Sequence, residues 1–302
     1  MTPETVAIVH PLKAGGRAAA TERLARWAHA AGASTPHVVI TEEDSPGVEQ
    51  ARAAVASGAD LVIAWGGDGT VRSVAEGLVG TDAALAIVPA GTGNLLARNL
   101  GLPLSLDDAG AIAFDGAERL VDVIEVGLGG EVTTCTVIAG MGIDAVLIDA
   151  SEGLKNAIGP SAYAVNSVRA LWQKKMRVGV AVDGGAPRWY SARSVMVANV
   201  GGLVAGLDVV PEAEVSDGLL HVVVLPLANP VDWVRTGARI ALRRAAQDDS
   251  RFHLQGTSVW VVASEPQARQ VDGDVMDPGR TIQARVRPRA VKVRVAKDSA
   301  GE

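Results

Sequence analysis

The feature that most constrains this chain is an apolar run that stops in glycines around a single carboxylate: Leu61-Val62-Ile63-Ala64-Trp65 leads into Gly66-Gly67-Asp68-Gly69-Thr70. A short run of this kind, rich in β-branched residues, reads as a strand buried on both faces, as in a parallel sheet. The period then changes. Val71, Val74, Ala75, Leu78 and Val79 recur at i, i+3, i+4, i+7 and i+8, so a helix with one face on the sheet follows. The arrangement repeats at once, with Leu85-Ala86-Ile87-Val88-Pro89 leading into Ala90-Gly91-Thr92-Gly93-Asn94. Two strand, glycine-loop and helix units in succession point to an α/β sheet with a phosphate-binding edge.

Two earlier units fit the same sheet. Val6-Ala7-Ile8-Val9 reads as a buried strand, and His10-Pro11-Leu12-Lys13-Ala14-Gly15-Gly16 as a loop whose glycines turn backbone N–H groups toward a ligand. A helix over 17–31 carries Leu24, Trp27 and Ala28 at helical spacing and ends at Gly32. Val38-Val39-Ile40 is the next strand, with Thr41 at its carboxyl end, and a helix over 47–57 closes at Gly58. Four short strands alternating with helices predict a doubly wound parallel sheet, whose ligands bind beyond the carboxyl ends of the strands. Every glycine loop lies there.

The texture changes near Leu120. Segments 120–126, 132–138, 177–182, 194–198 and 219–224 read as strands with few helices between them, and Asp183-Gly184-Gly185 is a strong hairpin signal. Helical patterns interrupt at 158–175 and 229–246, and 259–262, 282–286 and 291–295 read as three more strands. The second half is therefore a separate, β-rich domain.

With a formal charge of -6 and a pI near 5.5, the chain lacks the basic excess that nucleic acid demands. Cys135 is the only cysteine, so no internal disulfide forms; it is expected to be a buried core thiol in a reducing cytoplasm. The start Met1-Thr2-Pro3-Glu4 shows no signal-peptide pattern, and no apolar run approaches the roughly 20 residues that span a bilayer. Any contact with the inner face of a membrane is then peripheral. The segment 154–176, with Lys155, Arg169, Lys174 and Lys175 beside Tyr163 and Trp172, suits an interfacial helix or an ordinary solvated face. A homodimer is left open. The histidines, His10, His29, His37, His221 and His253, show no metal-ligand spacing.

Asp68 is the odd residue of the first glycine loop. A carboxylate beside phosphates must meet a metal, accept a proton, or accept hydrogen bonds from loop N–H groups. Thr70 offers a hydroxyl, and Gly91, Thr92 and Asn94 repeat the loop with hydroxyl and amide groups in place of the carboxylate. Neither the P-loop pattern nor the dinucleotide fingerprint is present. Further on, Asp272-Gly273-Asp274 is either a plain turn or a carboxylate pair fit for a metal or a general base, and the segment holding Glu214, Asp217 and Leu219 is a turn or a cation site.

Together these segments resemble the diacylglycerol kinase catalytic-domain family, which includes bacterial lipid kinases and sphingosine kinases. The resemblance rests on Gly66-Gly67-Asp68-Gly69-Thr70, on Pro89-Ala90-Gly91-Thr92-Gly93-Asn94 with Ala97-Arg98 and Leu100-Gly101-Leu102-Pro103, on Asp217-Gly218-Leu219-Leu220 and on Asp272-Gly273-Asp274. It implies a three-layer nucleotide-binding domain over 1–124, with a C-terminal return of about 289–302, and a β-sandwich lipid-substrate domain over 125–288. It implies ATP and Mg²⁺ as cofactors and a membrane lipid as acceptor, with diacylglycerol and phospholipid metabolism foremost. By position, Pro11, Lys13, Thr41, Gly66, Gly67, Asp68, Gly69, Thr70, Ser73, Gly91, Thr92 and Asn94 match the family's nucleotide-binding segments. Asp274, Asp272, Asp68 and Asp122 match its catalytic carboxylates, Asp274 as the proposed base. Glu214, Asp217 and the backbone of Leu219 resemble a structural magnesium site.

The chain departs from the pattern at several points. His10-Pro11 stands where the family has Asn-Pro, Arg72-Ser73 where it commonly has Asn-Glu, and Asn94-Leu95 where it has Asn-Asp. Asp274 replaces glutamate, one methylene shorter, and His221 follows Asp217-Gly218-Leu219-Leu220 where an aspartate is frequent. The expected reaction is transfer of the γ-phosphoryl group of ATP to a lipid alcohol. Its rivals are an NAD kinase, which shares the first loop, and a catalytically silent nucleotide- or lipid-binding regulator.

Overall fold

The computed structural model describes residues 4–42, 45–142, 175–204, 207–208, 210, 213–225 and 253–299. The helices expected over 158–175 and 229–246, and nearly all of the basic and aromatic segment 154–176, lie outside the described residues. Two compact units are formed, one from Met1–Val123 with Arg287–Glu302 and one from Ile124–Val286.

The first unit runs β1 (Thr5–Val9), α1 (Pro11–Ala14), α2 (Gly16–Ala30), β2 (His37–Ile40), α3 (Val48–Ala56), β3 (Leu61–Gly66), α4 (Asp68–Leu78), β4 (Ala84–Pro89), α5 (Leu95–Asn99) and α6 (Leu106–Asp115). The strands lie parallel in the order β4-β3-β1-β2, and β1, β3 and β4 are buried at every residue. Burial on both faces is why these strands read as continuous apolar runs. Alternate residues serve opposite layers. Val9, Ile63, Trp65 and Val88 pack with Leu24 and Trp27 of α2 and Ala113 of α6. On the other side α4 lies on β3 and β4, and α3 packs on α4 and β1. Val71, Val74 and Leu78 of α4 are buried, each contributing roughly 2 kcal/mol by removing a branched apolar side chain from water.

The register places the site. Trp65 pairs with Val88 and Gly66 with Pro89, so the two glycine loops leave the sheet side by side.

In the second half the strands are β5 (Ala117–Gly127), β6 (Val132–Cys135), β7 (Ile138–Gly142), β8 (Met176–Val182), β9 (Arg188–Ala192), β10 (Ser194–Ala198), β11 (Gly202–Val204), β12 (Leu207–Asp208), β13 (Leu220–Leu225), β14 (His253–Gly256), β15 (Ser258–Val271) and β16 (Asp274–Val295). Antiparallel pairing runs β14-β13-β10-β7-β15. β15 belongs to two layers, because Val259 to Ala263 pair with β8 while Arg269 to Val271 pair with β7. Register shifts between Val262 and Arg269 make the bend. Met141, Val195, Val197, Leu220 and Val222 then face Val178, Val180, Val259, Val261 and Ile282 in one core, which is a β-sandwich.

Several local expectations are corrected. Residues 10–16 are not an open loop: Pro11–Ala14 is a helical turn, and the Gly15 N–H bonds back to the Pro11 carbonyl. The strand expected over 132–138 breaks after Cys135 and resumes at Ile138, for a reason given below. Segments 282–286 and 291–295 are one strand, β16, whose end lies parallel to β4 through Lys292↔Ala84 and Val293↔Leu85. The hairpin at Asp183-Gly184 is present, with Gly185 N–H donating to the Val182 carbonyl. Among the described residues no helix is long and apolar enough to cross a membrane.

Candidate active site

The glycines of the two loops form one surface. A Cβ on Gly91 would stand 2.8 Å from the Gly67 Cα, and one on Gly67 would run into the Lys13 ammonium. A side chain is excluded at Gly91 by backbone contact, and one at Gly67 would displace Lys13, so peptide groups line this edge. The Ala90 N–H donates to the Gly66 carbonyl at 2.7 Å, which extends the β3–β4 pairing into the loops. Asn94, at φ 49, folds its amide back on Gly91: its Oδ1 accepts from the Gly91 N–H at 2.8 Å and its Nδ2 donates to the Gly91 carbonyl at 2.9 Å.

Asp68 locks the two loops together. Its carboxylate accepts the Asn94 N–H at 2.8 Å and the Leu95 N–H at 2.6 Å. Of the three roles open to it from sequence, acceptance of loop N–H groups is the one seen in the structure. These donors belong to the first turn of α5, where helical N–H groups lack intrahelical partners and favour an anion. Gly93, absent from the expected site residues, is required here, since a Cβ there would come within 2.9 Å of Asp68 Oδ2. It stood in the same motif, and only the carboxylate's direction singles it out.

Thr70 and Ser73 are both buried, Thr70 against Gly66 and Ser73 beside Gly47, so neither residue lies on the exposed edge. Thr92 is exposed at the tip of the second loop. Gly69 lies in the first turn of α4, and Pro11 is the first residue of α1. Thr41 is buried, its N–H donating to the Val9 carbonyl at 3.0 Å. The ring nitrogen Nδ1 of His10 is buried and meets no partner among the described residues. Burial, with the Lys13 ammonium second, lowers the His10 pKa. Asp122 is 1% exposed and accepts the Arg289 N–H at 2.7 Å, in the returning segment of this unit.

In the second unit, Asp272 and Gly273 form a two-residue hairpin loop between β15 and β16, with φ of 50 and 93. Both residues at positive φ make this the left-handed turn that Asp-Gly favours. The Asp272 carboxylate turns inward and is buried. It accepts the N–H groups of Thr136 at 2.7 Å, Val137 at 2.8 Å and Ile138 at 2.9 Å, the Thr136 hydroxyl at 2.9 Å and the Cys135 thiol at 3.2 Å. This is why the strand expected over 132–138 breaks: those N–H groups leave the ladder for a carboxylate. Asp272, expected among the catalytic groups, is thus taken up in fastening the turn. Asp274, the next residue but one, is half-buried at the start of β16, opposite Val271. Nothing in the sequence marked 135–138 as the partner of this turn.

The segment expected to hold a structural magnesium ion is satisfied from within. Asp217 accepts the Leu219 N–H at 2.8 Å, the Glu214 N–H at 3.2 Å and the His221 Nε2–H at 2.9 Å. His221 Nδ1 faces His253 Nε2 at 3.1 Å, with the two rings stacked. An imidazole N–H stands where a cation would have to bind, so Glu214, Asp217 and Leu219 do not fit a metal here. Among the described residues no group of three or more His, Cys, Asp or Glu side chains converges on a metal position.

Comparison with known proteins gives the family and the fold. The diacylglycerol kinase catalytic domain profile matches residues 4–126, and that of the YegS C-terminal NAD kinase beta sandwich-like domain matches residues 137–295. The chain belongs to the diacylglycerol kinase catalytic-domain family. It is a phosphotransferase. A probable lipid kinase YegS-like of Pseudomonas aeruginosa is 32% identical to this kinase over 264 residues, 85% of this chain and 83% of its own. Another, from Pseudomonas fluorescens, is 29% identical over 265 residues, 87% and 86% of the two chains. A crystal structure of a diacylglycerol kinase from Bacillus anthracis superposes with a TM-score of 0.76 over 97% of each chain at 22% identity, which speaks for the fold.

Proposed function

We propose that this kinase transfers the γ-phosphoryl group of ATP to a hydroxyl of a membrane lipid, with diacylglycerol as the first acceptor to test. The observation that carries the nucleotide half of this reading is the bond of Asp68 to the Asn94 and Leu95 N–H groups, which makes one bed of two glycine loops. Backbone N–H groups and the Lys13 ammonium suit a polyphosphate. The lipid half is supported by the relatives, which are described as probable lipid kinases.

In the reaction the lipid oxygen attacks the γ-phosphorus as Asp274 takes its proton. The bond to the ADP oxygen breaks, and the products are ADP, a lipid phosphate and a protonated Asp274 that returns its proton to water. Asp272 positions the turn that carries Asp274. Magnesium favours one or two carboxylates plus substrate phosphates, which fits a partly exposed Asp68 beside a bound nucleotide; it would neutralise charge on the transferred group. The protein's own share is positioning and electrostatics.

The test is an assay with γ-labelled ATP against a total lipid extract, with mass spectrometry of the labelled product. Label in phosphatidic acid is the expected result. Label in another lipid would replace diacylglycerol but keep the reaction class, whereas label on NAD, or ATP binding with no transfer, would overturn the proposal.

A further inference from the structure

The second unit carries a concavity that none of the candidate active-site residues lines. It opens on the outer face of β5, β6, β8, β15 and β16, with a volume of about 560 Å³, within the range of small-molecule sites. Strand alternation builds it. Val259 and Val261 point into the sandwich core, so Trp260 between them points out and is 43% exposed. Trp260 stands opposite Ala181 on one neighbour and Gln283 on the other. The small Ala181, together with Gly127 and the hairpin glycines Gly184 and Gly185, leaves the space around the indole open.

The polar lining decides what fits. Glu125, Gln283 and Arg285 surround the indole. An anion would be opposed by the Glu125 carboxylate, and a cation by the Arg285 guanidinium. An acyl chain would strip water from Gln283 and Arg285 and give no hydrogen bond in return. A ligand matching this set is uncharged, carries both donors and acceptors around its rim, and has a flat face of C–H groups for the indole, whose π-face is negative. A sugar ring in its chair form has these properties.

We propose that this concavity binds a neutral pyranose, either free or as the headgroup of a glycolipid. The indole of Trp260 takes the C–H face of the ring; Glu125 accepts from its hydroxyls, and Gln283 and Arg285 donate to them. The site lies wholly in the second unit and does not depend on the phosphoryl-transfer reading.

The experiment titrates the full chain with glucose, galactose and maltose by saturation-transfer NMR. In a second arm it measures flotation with phosphatidylcholine vesicles with and without a monoglucosyl diacylglycerol. Saturable binding is expected in at least one arm, weakened roughly tenfold or more in Trp260→Ala and held within about threefold in Trp260→Tyr, which keeps a stacking face. Binding of free sugars identifies a soluble saccharide, and binding of the glycolipid vesicles alone identifies a displayed headgroup. Because Trp260 is exposed, both variants should keep the unfolding midpoint, and Gln283→Ala serves as a second probe. No saturable binding in either arm, unchanged binding by Trp260→Ala, or preference for inorganic phosphate over sugars would overturn the proposal.

Discussion

Asp68 and Leu95 meet at 2.6 Å, carboxylate to backbone N–H, across the gap between two glycine loops that follow different strands. Hydrogen bonds to a charged group contribute about 1.5–3 kcal/mol each, and Asp68 makes one to Asn94 as well. Asp68→Ala should therefore weaken ATP binding by roughly tenfold to a hundredfold, with Asp68→Asn intermediate because one acceptor survives. Nucleotide titration by calorimetry checks this; wild-type affinity in the alanine variant would show that the loops hold their shape without the bond.

Asp272 presents the opposite case, a buried carboxylate whose loss leaves donors stranded. Asp272→Ala removes the acceptor for three backbone N–H groups, so a destabilisation of about 3–5 kcal/mol is expected, enough to prevent purification of a folded chain. Asp272→Asn keeps one acceptor oxygen and should fold with a lowered unfolding midpoint. Chemical denaturation of the asparagine variant gives the comparison, and an unchanged midpoint would contradict the fastening role.

Asp274→Asn should lower kcat by about a hundredfold to ten-thousandfold, the usual share of a general base, while the ATP dissociation constant stays at the wild-type value. Asp274→Glu should recover a large part of the rate. Parallel loss of ATP binding and turnover in the asparagine variant would point to collapse of the turn instead.

Acid sensitivity should trace in part to Asp183. The N–H of Ser258 and the hydroxyl of Thr257 hold its carboxyl below its usual range, so the proton binds the unfolded chain more tightly. The resulting stability is fully present above the unfolded value of about 4 and is lost as pH falls through the lower folded value. Asp183→Asn should thus flatten the acid limb of the unfolding curve, measured by urea titration at a series of pH values; an identical limb would rule out the contribution.

Magnesium in the absence of nucleotide should leave the unfolding midpoint unchanged, and chelation likewise, because His221 Nε2 already occupies Asp217 at 2.9 Å. Differential scanning calorimetry with and without EDTA reads this directly. A midpoint that rises with magnesium alone would mean the turn opens to admit the ion.

The first unit was readable because strands buried on both faces leave long apolar runs, and because glycines at strand ends have few other uses. The helix after the second loop was legible too, but that the N–H groups at the start of α5 serve Asp68 was not, since the two lie in different βα units. In the second unit strand identities were legible from alternation, but their ends were not. The stop after Cys135 has no local cause; it exists because Asp272 claims the N–H groups of Thr136, Val137 and Ile138. Likewise Asp217 and His221 were visible as neighbours in sequence, whereas His253, the third member of their chain of contacts, comes from β14, a strand too short and too polar to stand out.

The end of β16 lies along β4, placing Val293 beside Leu85. Until it arrives, β4 is an open edge of the nucleotide-binding sheet, and the N–H groups of Thr136, Val137 and Ile138 likewise wait for Asp272, which follows Thr136 by 136 residues. During synthesis neither the β4 edge nor the segment after Cys135 can be completed before β15 and β16 have left the ribosome. A truncated translation product of this gene would therefore be an unfinished sheet with an exposed edge, open to aggregation and proteolysis, and would not be a partly active kinase that consumes ATP.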